Sequence, residues 1–174
     1  MRNKLQCQPT PRIKGFTLIE LVIGMMVIAV AIVMLTSMLF PQADKASATL
    51  QRVRSAELAH SVMNEIWGKR YDQNTNANGG VPACNASAGL TCSTSMGNDG
   101  ESRDAFNDVD DYHGLNETSN MLDSSQTYAQ AYPGFKLAVT VSYLDTTQAE
   151  KLITVDVTTP SNEVITYQTV RSNY

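Results

Sequence analysis

Lys14-Gly15-Phe16-Thr17-Leu18-Ile19-Glu20-Leu21-Val22-Ile23-Gly24 opens an apolar run that continues to Phe40. The 25 residues from Phe16 to Phe40 carry a single charge, Glu20. A helix rises ~1.5 Å per residue, so this length crosses a ~30 Å hydrocarbon core. On insertion scales a carboxylate inside such a segment costs up to roughly 2.5–3.5 kcal/mol, which demands a partner. Arg2, Lys4, Arg12 and Lys14 precede the run with no acid among them. The positive-inside rule places such a leader on the cytoplasmic side and the remainder across the membrane. A secretory signal peptide loses its apolar core with its leader. Here the basic part comes first and the apolar part follows it.

Gly15 followed by Phe16-Thr17-Leu18-Ile19-Glu20, behind Arg12 and Lys14, resembles the N-terminal signature of type IV prepilins and of type II secretion pseudopilins. The resemblance implies that a prepilin peptidase cuts after Gly15 and methylates the new amino terminus at Phe16. It also implies that Glu20 pairs with the Phe16 amine of a neighbouring subunit during assembly. Both roles are physically reasonable. The helix dipole favours a negative charge in the first turn, and an incoming ammonium turns a lone buried charge into a pair. The plainer alternative is a signal anchor whose glutamate points to the interface.

Removal of residues 1–15 leaves 159, and 134 of these lie beyond the span, enough for one small domain. Whole-chain charge is −4, but after Gly15 nine cations face seventeen acids, a balance of −8. That is a poor surface for nucleic acid, which requires a basic patch. Cys7 lies in the leader, so Cys84 and Cys92 remain as an even pair in an oxidising compartment. Closing their short loop stabilises by roughly 2.5 kcal/mol in the chain-entropy model. A metal site is the alternative, weakened by the lack of a nearby histidine.

The expected organisation is a cleaved leader (1–15), a transmembrane half of a long helix (16–40), an amphipathic half (41–71), a loop region (72–134) and a β-meander (135–174). Pro41 should bend the helix. Beyond it, Ala46, Leu50 and Val53 share one face, while Ala59, Val62, Met63, Ile66 and Trp67 share another. Either the first face packs on neighbouring helices and the second under a head, or both cover one core. Trp67 reads as a core anchor. From Asp72 to Asn98 the chain is rich in Asn, Gly, Ser and Thr, which reads as a long loop stapled by the cysteines.

Residues 99–114 hold Asp99, Glu101, Asp104, Asp108, Asp110 and Asp111 against Arg103. Carboxylates so close repel unless a cation compensates. One reading is a solvated turn with aspartate caps. The other is calcium held by Asp108, Asp110 and Asp111, although Tyr112 and His113 break the EF-hand spacing. Glu101-Ser102-Arg103 and Asn107-Asp108-Val109-Asp110-Asp111-Tyr112-His113-Gly114 resemble a segment of MSHA-type minor pilins, the MshD family of the mannose-sensitive haemagglutinin pilus.

Phe135–Tyr143 alternates cleanly, Lys151–Thr158 puts Ile153, Val155 and Val157 on one face, and Glu163–Arg171 is rich in β-branched residues. Short turns join them, which predicts an antiparallel meander covered by the helix. The expected fold is α+β and type IV pilin-like: a long N-terminal transmembrane helix packed on a small antiparallel head. No catalytic spacing appears, and His60 and His113 lie far apart. The expected function is that of a minor type IV pilin, MSHA-type, with no enzymatic activity and no cofactor unless calcium binds. Its head would stand in the periplasm and later on a pilus. Expected partners are prepilin peptidase, other major and minor pilins, the inner-membrane assembly platform and membrane lipid. A type II secretion pseudopilin and a tip-displayed glycan-binding adhesin subunit are the rivals.

Overall fold

The computed structural model of the chain describes residues 15–78 and 80–174. Two compact units divide it, Met1–Ala46 and Ser47–Tyr174. One helix, α1 (Leu18–Trp67), supplies elements to both and continues through Pro41 without interruption. Its residues up to Phe40 are nearly all aliphatic, and the large side chains among them are exposed, from Leu18 at 84% to Phe40 at 71%. The two hydroxyls near the end of the apolar run return to the backbone. Thr36 Oγ1 donates to Ile32 O and Val33 O (2.9 and 3.0 Å), and Ser37 Oγ donates to Met34 O (2.8 Å). Such back-bonds satisfy a polar atom without water.

In the second unit, α1 buries Leu58, Ala59, Val62, Met63 and Ile66. Three strands, β1 (Lys136–Tyr143), β2 (Glu150–Thr158) and β3 (Val164–Ser172), form an antiparallel sheet in the order β1-β2-β3. Val139 faces Val155, and Val155 faces Tyr167. Period-two alternation sends Leu137, Val139 and Val141 of β1, and Ile153, Val155 and Val157 of β2, into the core with the helix residues. Leu50 and Val53 stay exposed at 59% and 61%. The two helix faces therefore have different fates, and one shared core is ruled out. Trp67 is a correction: it is 45% exposed, with the Arg171 guanidinium 5.2 Å from its ring. Ile66 takes the inward place at the end of the stripe.

The segment 72–134 is largely irregular, and its part beyond Asn98 also supplies core residues. Phe106, Val109, Tyr112, Leu115 and Tyr128 join the same hydrophobic cluster. Its regular pieces are two 3-10 turns, Arg103–Ala105 and Asp110–Tyr112, and a short helix, α2 (Tyr128–Ala131), opened by a Thr127–Gln130 capping box. These apolar residues are spaced without period, so no helix or strand pattern announces them.

The outer edge of β1 is closed by the same segment. The N–H groups of Leu137 and Val139 donate to Glu117 Oε2 (3.3 Å) and Leu115 O (2.9 Å). His113 Nδ1 lies 3.1 Å from Val141 N and 3.0 Å from Val141 O. An edge so occupied offers no template to another strand.

Candidate assembly site and the buried polar network

At the start of α1, Thr17 and Glu20 form a reciprocal capping box. Glu20 N–H donates to Thr17 Oγ1 (3.3 Å), and Thr17 N–H and Oγ1 both donate to Glu20 Oε2 (3.2 Å each). The Thr-x-x-Glu spacing that signals this box was present in the sequence and is the local reason why the helix starts where it does. Phe16, the residue after the expected cut, is 86% exposed. Both cap contacts on the carboxylate fall on Oε2. The described residues give Oε1 no hydrogen bond.

In the head, the acidic run turns inward. Asp108, Asp110 and Asp111 are all buried, so the solvated-turn expectation fails on exposure and holds on capping. Asp108 Oδ1 accepts the N–H groups of Asp110 (2.8 Å) and Asp111 (3.3 Å). Asp111 Oδ2 accepts those of Asn107 (2.7 Å) and Asp108 (3.1 Å). Asp110 instead meets Lys151, whose Nζ lies 2.6 Å from Asp110 Oδ1. The compensating cation is thus a lysine of β2. Calcium chemistry has to compete with these internal bonds for the oxygens of Asp108, Asp110 and Asp111.

Lys151 is fully buried. Its ammonium donates to Tyr71 O (2.7 Å) and Asp72 Oδ2 (3.2 Å), and sits 4.3 Å and 5.2 Å from the ring centres of Tyr71 and Tyr143. Asp72 also accepts the N–H groups of Asn74 and Ser93, both at 2.9 Å. The Tyr143 hydroxyl donates to Ser93 O (2.7 Å). Burial pushes the Asp110 carboxyl up to about 7 despite Lys151, with the charges of Asp108 and Asp72 adding to the rise. Burial and the Asp111 charge push Asp108 up to about 6. Burial acts on Asp72 too, but the N–H groups of Asn74 and Ser93 and the charge of Lys151 outweigh it and hold its carboxyl below the ordinary range. Lys151 had a sequence signal: it continues inward the alternation of Ile153, Val155 and Val157.

A second, half-buried pair ties the acidic segment to α1. Arg103 Nη1 lies 2.7 Å from Glu65 Oε1, and Arg103 Nη2 donates to Glu65 Oε2 (2.8 Å). The Tyr112 hydroxyl donates to Glu65 Oε1 (2.6 Å), and the guanidinium lies 5.1 Å from the Phe106 ring centre. Burial alone would lower the Arg103 pKa, but Glu65 more than offsets it and raises it. Nearby, a cleft of about 510 Å³ opens among Met96, Asn98, His113, Thr118 and Asn120.

Cys84 and Cys92 form a disulfide, buried against Tyr71 and Tyr143. Asp72 and the two sulfurs lie within 4.8 Å of one another. With the sulfurs bonded to each other they are not thiolate ligands, which settles the cysteine alternatives in favour of the disulfide.

The sequence model of the prokaryotic N-terminal methylation motif matches residues 10–36. No curated protein and no solved structure gives a significant match. The matched span runs from the basic leader through the capped glutamate and into an apolar helix long enough to cross a membrane, and so the chain carries the N-terminal signature of type IV prepilin-like proteins, pilins and pseudopilins, the motif at which prepilin peptidase acts.

Proposed function

We propose that this chain is a minor type IV pilin of the MSHA kind with a structural, not catalytic, role. Prepilin peptidase cuts between Gly15 and Phe16, and Phe16–Phe40 holds the product in the inner membrane with its head in the periplasm. The subunit then enters a filament or the complex that initiates one, alongside other pilins and on the inner-membrane platform. The observation that carries this is the capped Glu20 heading a helix whose large apolar side chains are left exposed from Leu18 to Phe40. An apolar helix of that extent needs partners outside its own chain, lipid first and neighbouring helices afterwards. The narrower MSHA assignment draws on the resemblance of residues 101–114. Those residues brace the head against α1 and β2, which suits a scaffold subunit better than a ligand loop.

Assembly pairs the amine of one subunit's Phe16 with the Glu20 carboxylate of the next. Glu20→Ala is expected to leave membrane insertion and leader cleavage intact and to reduce recovery in sheared filaments at least tenfold. Equal recovery of the variant sinks the pairing. A deletion strain distinguishes the pilus from the secretion reading. Lost filaments with normal exoprotein levels support the pilin. Lost secretion with intact filaments assigns the chain to a type II secretion system.

A further inference from the structure

Lys151 and Asp110 meet under conditions that favour condensation over a simple ion pair. Their side chains touch at 2.6 Å with both residues buried, Lys151 completely. Among the described residues the Asp110 carboxylate oxygens meet no polar partner other than the Lys151 ammonium. Cγ is the atom bonded to that oxygen, so Nζ and Cγ are neighbours, and holding two reacting groups together is what converts a slow bimolecular step into an intramolecular one. The Tyr71 and Tyr143 rings flank the ammonium and keep bulk water from it. Asp72 Oδ2, 3.2 Å from Nζ and on a carboxylate fixed by two backbone N–H groups, is placed to relay a proton.

We propose that Lys151 and Asp110 form a modification site, at which their side chains condense without an added enzyme into an intramolecular isopeptide bond. Asp72 relays a proton from the Lys151 ammonium to the Asp110 carboxylate, and the freed Nζ lone pair attacks Cγ of the carboxyl so made neutral. The Nζ–Cγ bond forms, and Asp72 takes a second proton from Nζ. The Cγ–O bond of the hydroxyl then breaks, and the hydroxyl leaves with that second proton, returned by Asp72, as one molecule of water. Ammonium and carboxylate thereby become amide plus water, with no oxidation or reduction. Two charges whose burial is costly are removed from the interior, and the new amide N–H keeps Tyr71 O as its acceptor. The bond would join the 3-10 turn Asp110–Tyr112 covalently to β2, beside the disulfide. It does not depend on whether the chain serves a pilus or a secretion system.

The test is the intact mass of the full chain, purified in detergent micelles at neutral pH and reduced to open the disulfide, followed by a tryptic map. The expected result is a mass short of one water, a branched peptide joining Asp110 to Lys151, and no cleavage after Lys151. Lys151→Arg should restore the full mass. Asp110→Asn should lose ammonia in place of water, since an amide carbonyl offers the same carbon with a different leaving group. Asp72→Asn should slow formation at least tenfold. A wild-type chain of full mass, with Lys151 in ordinary linear peptides, overturns the proposal whatever the variants do. Undiminished bond formation in Asp72→Asn removes Asp72 from it.

Discussion

The span Phe16–Phe40 and the segment 99–114 break the usual burial rule in opposite directions. The first leaves leucines, isoleucines, valines and methionines exposed along its whole length; the second hides three aspartates. Each inversion says where the missing partner lies. Exposed apolar side chains gain nothing from their own chain, so their counterpart is lipid or other helices. Buried carboxylates must be compensated within the fold, and each is: by backbone N–H groups for Asp108 and Asp111, by Lys151 for Asp110. One region is built for assembly outside the chain, the other for a head that is finished before assembly.

The strongest way to break that comparison is to remove the internal cation. Lys151→Met leaves Asp110 and Asp72 buried without it, and stripping one partner from such a site costs roughly 3–5 kcal/mol. The full chain in detergent should lose its cooperative thermal transition or shift it far down, read by the fluorescence of Trp67, the single tryptophan. Adding Asp110→Asn to Lys151→Met should recover part of the loss, because the orphaned charge goes with it. A Lys151→Met head as stable as wild type would show that the acidic run is compensated from elsewhere.

An intermediate effect is expected from pH. Asp108 has its carboxyl raised from 3.8 to about 6, by burial and by Asp111. The folded state thus holds that proton more tightly than the unfolded chain. The stability this provides is complete below pH ~4 and is lost as pH rises through about 6. Asp110, raised to about 7, adds to the same slope until it is bound to Lys151, after which it no longer titrates. Asp72, held low, acts in the opposite sense, and only in more acidic solution. Asp108→Asn keeps an oxygen for the N–H groups of Asp110 and Asp111, so it should flatten the slope between pH 4 and 6 while preserving the fold. An unchanged slope would assign it to other groups.

Much of this was legible in the sequence because the signals were local or periodic. The single charge in 25 apolar residues, the alternation from Phe135 to Tyr143 and the nearby cysteines each speak through neighbours. Thr17-x-x-Glu20 is local as well, the spacing of a capping box. The burial of Asp110 was not legible alone, since its cation stands in a strand far along the chain. The alternation of β2 did place Lys151 inward, and an inward lysine requires acids. Phe106, Val109, Tyr112 and Leu115 were hidden for another reason. They sit among polar residues at irregular spacing, and only three-dimensional packing shows that they complete the core. Trp67 failed as an anchor because a stripe of five residues on α1 had one more member than the head covers.

The smallest effect on the head, and the sharpest on the comparison, should come from Leu50 and Val53. Both are exposed on α1 within the unit Ser47–Tyr174, one to two turns before its buried apolar stripe begins at Leu58. Exposed substitutions away from packed groups stay within about 0.5 kcal/mol. Leu50→Ser with Val53→Ser should therefore leave the thermal transition of the head nearly unmoved. If this face packs against neighbouring subunits, the same pair should lower incorporation into filaments severalfold, because each side chain forfeits apolar burial only on assembly. A destabilised head with normal incorporation would place these residues on the inward-facing side of the division, and the exposed stripe would then end at Phe40.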